Sequence, residues 1–159
     1  MRLSIRETKD YDSLVKLFIR NDLEYTEDDE ITTDIIKQYG AYDTAKYDPE
    51  CKLNSDVASL IGGIVLAKRE NRFICDGIAI DAEYRNLDLG ERLLKQIIED
   101  AKNLGADALY LVARAPGFFK KYGFFNIPKD DAPTFFECFT CPQYNKTCHP
   151  EVLKLAIMK

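Results

Sequence analysis

Several features that mark other classes of protein are scarce in this sequence. The longest apolar run, around residues 60–67, falls far short of the ~18 residues that a membrane-spanning helix needs. Lys and Arg number 22 against 27 Asp and Glu, and the net charge of -5 argues against a nucleic-acid partner, which would require a basic face. We therefore expect no membrane segment and no nucleic-acid partner, whereas an acidic protein can accept a cationic amine.

Histidine is almost absent, because His149 is the only one and lies about seventy positions from Cys75. A Cys/His catalytic pair would require the fold to bring these two residues together, and we do not expect it. Five cysteines, with no targeting segment apparent after Met1, predict reduced thiols and a cytoplasmic protein.

Length and composition indicate one domain. A chain of 159 residues can bury a sizeable core, and 46% hydrophobic with 31% charged residues is ordinary for a globular protein. The sequence contains no internal repeat or linker, so we expect a single domain over residues 1–159.

The most informative stretch, residues 73–105, predicts a strand, a short polar loop and a long helix. The apolar run over residues 73–80 suits a strand buried on both faces. The first N–H groups of the following helix would lack intrahelical acceptors, and with the helix dipole they would form an anion site that Arg85 and Gly90 strengthen. Gly105 suits the position just past the helix end. The apolar stripe of this helix comprises Leu89, Leu93, Leu94, Ile97, Ile98, Ala101 and Leu104.

The loop carries a recognisable motif. Arg85-Asn-Leu-Asp88-Leu-Gly90 resembles the acetyl-coenzyme A site of the GNAT superfamily of N-acetyltransferases, whose signature is Arg/Gln-x-x-Gly-x-Gly/Ala at a strand-to-helix turn. It is preceded by Ile80-Asp-Ala-Glu-Tyr84, which commonly leads into that signature. The first glycine is replaced by Asp88. Its carboxylate either turns outward and caps the helix, which we favour, or faces the pyrophosphate and repels it.

A second motif follows downstream. Residues 109–113 form a strand-like run, and Phe119 to Phe124 fit the Tyr/Phe-x-x-x-Gly-Phe pattern of the superfamily. The resemblance implies that this strand diverges from the first one and that the pantetheine arm lies in the gap. Many members carry at the Phe119 position a tyrosine that protonates the leaving thiolate. Tyr122 is the only phenol in the motif here, so we take it as the candidate acid.

The resemblance implies an α/β GNAT fold with a mixed, mostly antiparallel central sheet flanked by helices. It also implies an enzyme that transfers the acetyl group of acetyl-CoA, as cosubstrate, to a small-molecule primary amine by direct attack, and it allows a homodimer. Asp76 is our candidate base, with a purely structural role of its carboxylate as the open alternative, and Glu83 is a second candidate that is more simply explained as a surface carboxylate. The implied cofactor-binding residues are Ile78, Ala79, Ile80, Arg85, Asn86, Leu87, Asp88, Leu89, Gly90, Glu91 and Phe119.

The C-terminal region is rich in thiols. Cys138, Cys141, Cys148 and His149 could ligate a structural zinc, but adjacent Cys148 and His149 rarely reach one ion together, and we favour reduced thiols packed in a loop and predict no metal. This region faintly resembles that of short bacterial amino-acid acetyltransferases, which favours amino-acid acceptors. The alternative function is a GNAT-like module that binds coenzyme A, or a metal through these residues, and catalyses little.

The N-terminal half has weaker sequence patterns. We predict a strand over residues 3–6, a helix carrying Leu14 to Phe18, and a second helix through Ile31, Ile35 and Ile36 that ends near Gly40. The second strand would then lie within or just after residues 41–56. Residues 60–67 and 72–80 predict an antiparallel hairpin, in which Gly62-Gly63 indicates a bulge or a close backbone approach.

Overall fold

The computed structural model describes residues 3–21, 34–43, 60–113, 116–128, 131 and 151–157. Within them, seven strands form one sheet in the order β1-β2-β3-β4-β5-β7-β6, and every neighbouring pair is antiparallel except β4 with β5. The predicted mixed, mostly antiparallel α/β fold is therefore confirmed. The strands are β1 Leu3–Glu7, β2 Asp34–Asp43, β3 Leu60–Arg69, β4 Arg72–Ile80, β5 Ala108–Ala113, β6 Phe125–Asn126 and β7 Glu151–Ala156.

Three α-helices accompany the sheet in the described ranges, and none of them is long and apolar enough to cross a membrane. They are α1 Tyr11–Arg20, α2 Leu89–Asn103 and α3 Gly117–Lys120, and a short 3₁₀ turn spans Ala82–Tyr84. Leu17 and Phe18 of α1 pack with Val65 of β3, whereas Leu93 and other residues of α2 pack with the adjacent Ile64. Because neighbouring strand residues point to opposite faces, α1 and α2 cover opposite faces of the sheet. This double cover explains the nearly continuous apolar runs of β3 and β4.

The predicted second helix is wrong, and the second strand begins before the range in which we placed it. Residues 34–43 form β2, which pairs with both β1 and β3. The register shift between Ile35 and Lys37 makes Ile36 an extra residue, so Ile36 and Tyr39 both pack on the α2 side although three positions separate them. This β-bulge converts the period of a strand into the spacing of a helix. Ile31 lies outside the described residues.

The remaining local predictions near the site are confirmed. Glu70 and Asn71, with φ of 56° and 62°, form the turn of the β3–β4 hairpin. A Cβ on Gly63 would overlap Cδ2 of Leu14, which is the predicted close approach. Gly105, with φ of 86°, follows the end of α2, and the next N–H, that of Ala106, returns to the Ala101 carbonyl at 2.9 Å.

Candidate active site

The strands β4 and β5 diverge, as the second motif predicts. They pair only at Phe73 with Leu109 and at Ile74 with Tyr110. Farther along, residues 111–113 of β5 continue to pair with β7, but residues 75–80 of β4 pair only with β3. The edge of β4 that faces β5 therefore presents backbone groups without a strand partner among the described residues. The predicted cofactor-binding residues Ile78, Ala79 and Ile80 lie on this edge segment.

A β-bulge interrupts β4 at the point where the strands separate. The pairing passes from Gly77 with Val65 to Cys75 with Leu66, which leaves Asp76 as the extra residue. Its carboxylate lies 3.4 Å from Nη2 of Arg69, and the two side chains are 8% and 2% exposed. Asp76 is thus a buried, paired carboxylate at the base of the gap. Burial, followed by the charge of Asp76, raises the pKa of the Cys75 thiol, so this thiol is neutral.

The turn between β4 and α2 has the backbone of an anion site. Asn86 and Asp88 both adopt positive φ, 71° and 60°, and the first intrahelical bond runs from the Arg92 N–H to the Asp88 carbonyl. The N–H groups of residues 88–91 consequently have no acceptor among the residues that the structure describes. Several free donors at the positive end of a helix fit a pyrophosphate. This turn contains Asn86, Leu87, Leu89, Gly90 and Glu91, whose role in cofactor binding stays a prediction.

The guanidinium of Arg85 is anchored along one edge. Its Nε donates to the Ile80 carbonyl at 3.0 Å, and its Nη2 donates to Oδ1 of Asn21 at 3.2 Å. The Nη1 amino group has no acceptor in the described part of the chain. Arg85 is exposed and keeps donors available for a phosphate.

Asp88 stands at the N-cap position of α2, but the favoured interpretation that its side chain caps the helix is wrong. Its carboxylate accepts no capping hydrogen bond. The reason is its left-handed backbone, because a residue that caps through its side chain normally has extended dihedrals. The same backbone conformation favours glycine, which agrees with the residue that the signature expects here.

We expect Asp88→Gly to strengthen coenzyme A binding by no more than about threefold. Glycine adopts this φ without strain and removes one exposed carboxylate near the anion site, while no capping bond is lost. Titration calorimetry with coenzyme A measures the change. A gain of several hundredfold would show that the Asp88 carboxylate faces the pyrophosphate and opposes it.

The helix α3 brings its aromatic residues to the first turn of α2. A Cβ on Gly90 would lie 3.3 Å from Cζ of Phe118, so glycine permits this close approach. The Phe118 ring makes edge-to-face contacts with Phe119 at 5.1 Å and with Tyr122 at 5.2 Å between ring centroids. Phe119 is buried, whereas Tyr122 is partly exposed.

Tyr122 lies close to the charged first turn of α2. Partial burial and then the negative charge of Glu91 raise the pKa of its phenol, so the phenol stays protonated at neutral pH. Glu91 is itself held by Lys95, whose Nζ lies 2.8 Å from the Glu91 carboxylate, and this contact lowers the pKa of Glu91. A protonated phenol near the first turn of α2 can donate a proton.

Sequence reasoning missed one group of polar side chains at this site. Arg20, Asn21 and Asp81 join the end of α1 to the end of β4, and Asn21 contacts Arg85. Sixty or more positions separate the partners along the chain, so no local motif could indicate them.

The second candidate base and the candidate metal ligands lie elsewhere. Glu83 is an exposed residue of the 3₁₀ turn. Cys138, Cys141, Cys148 and His149 lie outside the described residues, and those that are described contain no group of His, Cys, Asp and Glu that could hold a metal ion.

Comparisons with known proteins agree with this geometry. The model of the Acetyltransferase (GNAT) family matches residues 11–124. None of the curated proteins matches the chain. A GNAT-family acetyltransferase of Staphylococcus aureus Mu50 has a TM-score of 0.64 at 19% identity, with 99% of this chain and 100% of that chain covered.

Two further solved structures contain the coenzyme. The N-acetylglutamate synthase of Neisseria gonorrhoeae, complexed with coenzyme A and N-acetyl-glutamate, has a TM-score of 0.66 at 16% identity, covering 100% of this chain and 36% of that one. A Bacillus anthracis protein assigned as a streptothricin acetyltransferase, in complex with acetyl coenzyme A, has a TM-score of 0.58 at 19% identity, covering 99% of this chain and 100% of that one.

At these identities the structural likeness shows the fold, and the family match spans more than half of the chain. In the part of the chain that the structure describes, the N–H groups of the turn lack acceptors and the edge of β4 lacks a strand partner, and both features fit a coenzyme A molecule. The chain therefore belongs to the Acetyltransferase (GNAT) family.

Proposed function

We propose that this protein transfers the acetyl group of acetyl-CoA to a primary amine of a small molecule, with amino acids as the first acceptors to test. The observation that carries the proposal is the divergence of β4 and β5 beside a helix N-terminus whose N–H groups find no acceptor within the described ranges. Such a site can hold the coenzyme by its pyrophosphate and along an open strand edge. We also propose that residues 1–159 form one domain, because the described strands belong to a single sheet.

Acetyl-CoA supplies the acetyl group as a thioester. In the transfer, the amine nitrogen forms a bond to the acetyl carbon, and the bond from that carbon to sulfur breaks. One proton leaves the amine, and one proton is taken up by the departing thiolate. Direct attack needs no protein nucleophile, which agrees with a Cys75 thiol that burial keeps neutral.

The chain contributes binding, polarisation and two proton positions. The N–H groups of residues 88–91 and the Nη1 of Arg85 would bind the pyrophosphate, and N–H groups of residues 78–80 would polarise the thioester carbonyl. Tyr122 would protonate the thiolate. Asp76, whose carboxylate lies 3.4 Å from Nη2 of Arg69, would accept the amine proton.

Two observations support a small amine acceptor. The chain carries a net charge of -5, which favours cationic substrates. One structural neighbour is named as an N-acetylglutamate synthase, which suggests amino acids as the first panel, although the likeness itself concerns the fold.

We expect Arg85→Ala to weaken coenzyme A binding about tenfold, because a charge-assisted contact to the pyrophosphate is lost. Titration calorimetry measures the Kd, and an acetylation assay with a panel of amino acids measures turnover. Lys102→Ala is the matched control, since it removes one exposed positive charge at the opposite end of α2.

Two results would contradict the proposal. If Arg85→Ala and Lys102→Ala had equal effects on the Kd, the coenzyme would not bind at this turn. If the unmodified protein bound acetyl-CoA but acetylated no amino acid in the panel, the proposal that amino acids are its acceptors would be wrong.

A further inference from the structure

The end of α1 is fastened to the end of β4 by a two-pronged ion pair. Nε of Arg20 lies 3.0 Å from Oδ1 of Asp81, and Nη2 of Arg20 lies 2.7 Å from Oδ2. The same Nη2 donates to the Leu60 carbonyl at 2.8 Å. Asp81 also donates its N–H to the Ile61 carbonyl at 2.8 Å. The carboxylate therefore has a defined position at the point where β4 leaves the sheet.

Asn21 connects this ion pair to the coenzyme turn. Its Nδ2 donates to Oδ1 of Asp81 at 2.9 Å and to the Leu17 carbonyl at 2.9 Å. Because both of these contacts require the amide nitrogen, they orient the amide oxygen, Oδ1, away from Asp81. That oxygen accepts from Nη2 of Arg85 at 3.2 Å. Asp81 thus acts on Arg85 through the amide of Asn21.

The guanidinium of Arg85 is therefore held at Nε and Nη2, and its Nη1 remains available to a ligand. The Ile80 carbonyl and Asn21 hold Nε and Nη2 of Arg85, while Nη1 has no acceptor among the described residues. Arg85 is exposed, and a free arginine side chain at the surface would sample many rotamers. Preorganisation lowers the entropy that must be lost when a phosphate binds.

We propose that Asp81, with Arg20 and Asn21, is a positioning residue for acetyl-CoA, and that it fixes Arg85 in the orientation that binds the pyrophosphate. This inference rests on the proposed function, which places the pyrophosphate at residues 85–91. Stability alone is a poor explanation of the ion pair, because its side chains are 47% and 26% exposed, and exposed pairs contribute little to folding.

Electrostatics gives the proposal a sharp test, because the two roles of a carboxylate near an anion site predict opposite signs. If Asp81 only repelled the pyrophosphate, then Asp81→Asn would strengthen coenzyme A binding. If Asp81 positions Arg85, the same substitution weakens binding. An asparagine side chain has only one acceptor oxygen, so it cannot accept the two hydrogen bonds from Arg20 together with the one from Asn21.

The experiment is a double-mutant cycle with titration calorimetry on the unmodified protein, Asp81→Asn, Arg85→Ala and the double variant. We expect Asp81→Asn to raise the Kd for coenzyme A about tenfold, but by less than about twofold in the Arg85→Ala background. In the acetylation assay, the KM for acetyl-CoA should rise while kcat changes less than about twofold. Glu99→Gln, which removes one exposed carboxylate from α2, should leave the Kd unchanged.

Arg20→Lys is a second, milder variant in case Asp81→Asn folds poorly. It keeps the charge but loses the two-pronged geometry, and it should raise the Kd about threefold. Thermal unfolding of each variant confirms that the measured protein is folded.

The outcomes separate this inference from the proposed function. A Kd that falls or stays constant in Asp81→Asn and in Arg20→Lys, or effects of Asp81→Asn and Arg85→Ala that are fully additive, would overturn the positioning role alone. A Kd that does not change in Arg85→Ala would overturn the proposed coenzyme site, and the positioning role with it.

Discussion

Tyr122→Phe is expected to lower kcat about a hundredfold, a loss typical of a missing general acid. The KM for acetyl-CoA should change little, because Phe keeps the edge-to-face contact with Phe118, which lies at 5.2 Å between ring centroids. In the proposed mechanism, the phenol protonates the departing thiolate. Steady-state kinetics with a saturating acceptor amine measures the effect.

The pH dependence of kcat provides a second test of Tyr122 as the general acid. A general acid works in its protonated form, and burial together with Glu91 raises the pKa of Tyr122 above the ordinary value of about 10. Activity that depends on this phenol should therefore persist through pH ~10 and decline only above it. Glu91→Gln removes the negative charge, so the decline should begin at a lower pH.

A tyrosine at position 119 should restore part of the kcat that Tyr122→Phe loses. Phe119 stands where many members carry the catalytic tyrosine, and it is buried against Phe118 and Phe124. We expect Phe119→Tyr to restore at least about tenfold in kcat when it is introduced into Tyr122→Phe. A Tyr122→Phe variant with unchanged kcat would show that the thiolate takes its proton from water.

The parts of the site that a local pattern describes could be predicted from the sequence. The helix α2 has a clear apolar period and a glycine just past its end, and Arg85 to Gly90 match a motif that lies, as the signature expects, at a strand-to-helix turn. The β2 prediction failed because a bulge at Ile36 gives a strand the spacing of a helix. The contact between Tyr84 and Asp43, with 2.6 Å between the phenol and the carboxylate, was equally hidden. Forty-one positions separate those two residues, and only the folded sheet brings them together.

The sequence also does not indicate which charged residues form ion pairs. Nothing in the sequence around Asp76 indicates that Arg69 is its partner, although both residues lie on the same hairpin. We predicted Asp76 as a base from its place on an apolar strand. The structure adds that the carboxylate belongs to a buried ion pair, which gives it a structural role as well. The two roles require a test that separates stability from catalysis.

Asp76→Asn is expected to reduce the free energy of unfolding by about 3–5 kcal/mol, because it removes one member of a buried ion pair. Arg69 is 2% exposed, so water cannot compensate for the lost partner. Urea denaturation measures this change. At temperatures where the variant is folded, kcat should also fall about a hundredfold if Asp76 accepts the amine proton.

The double variant Asp76→Leu with Arg69→Met distinguishes the roles. Replacing both members of a buried ion pair by apolar residues is often neutral or stabilising, so most of the lost stability should return. Activity should not return, because no carboxylate remains at the bulge where β4 and β5 separate. Recovery of kcat together with stability would show that Asp76 supports the strand edge only. In that case, the amine would have to lose its proton to another group or to water.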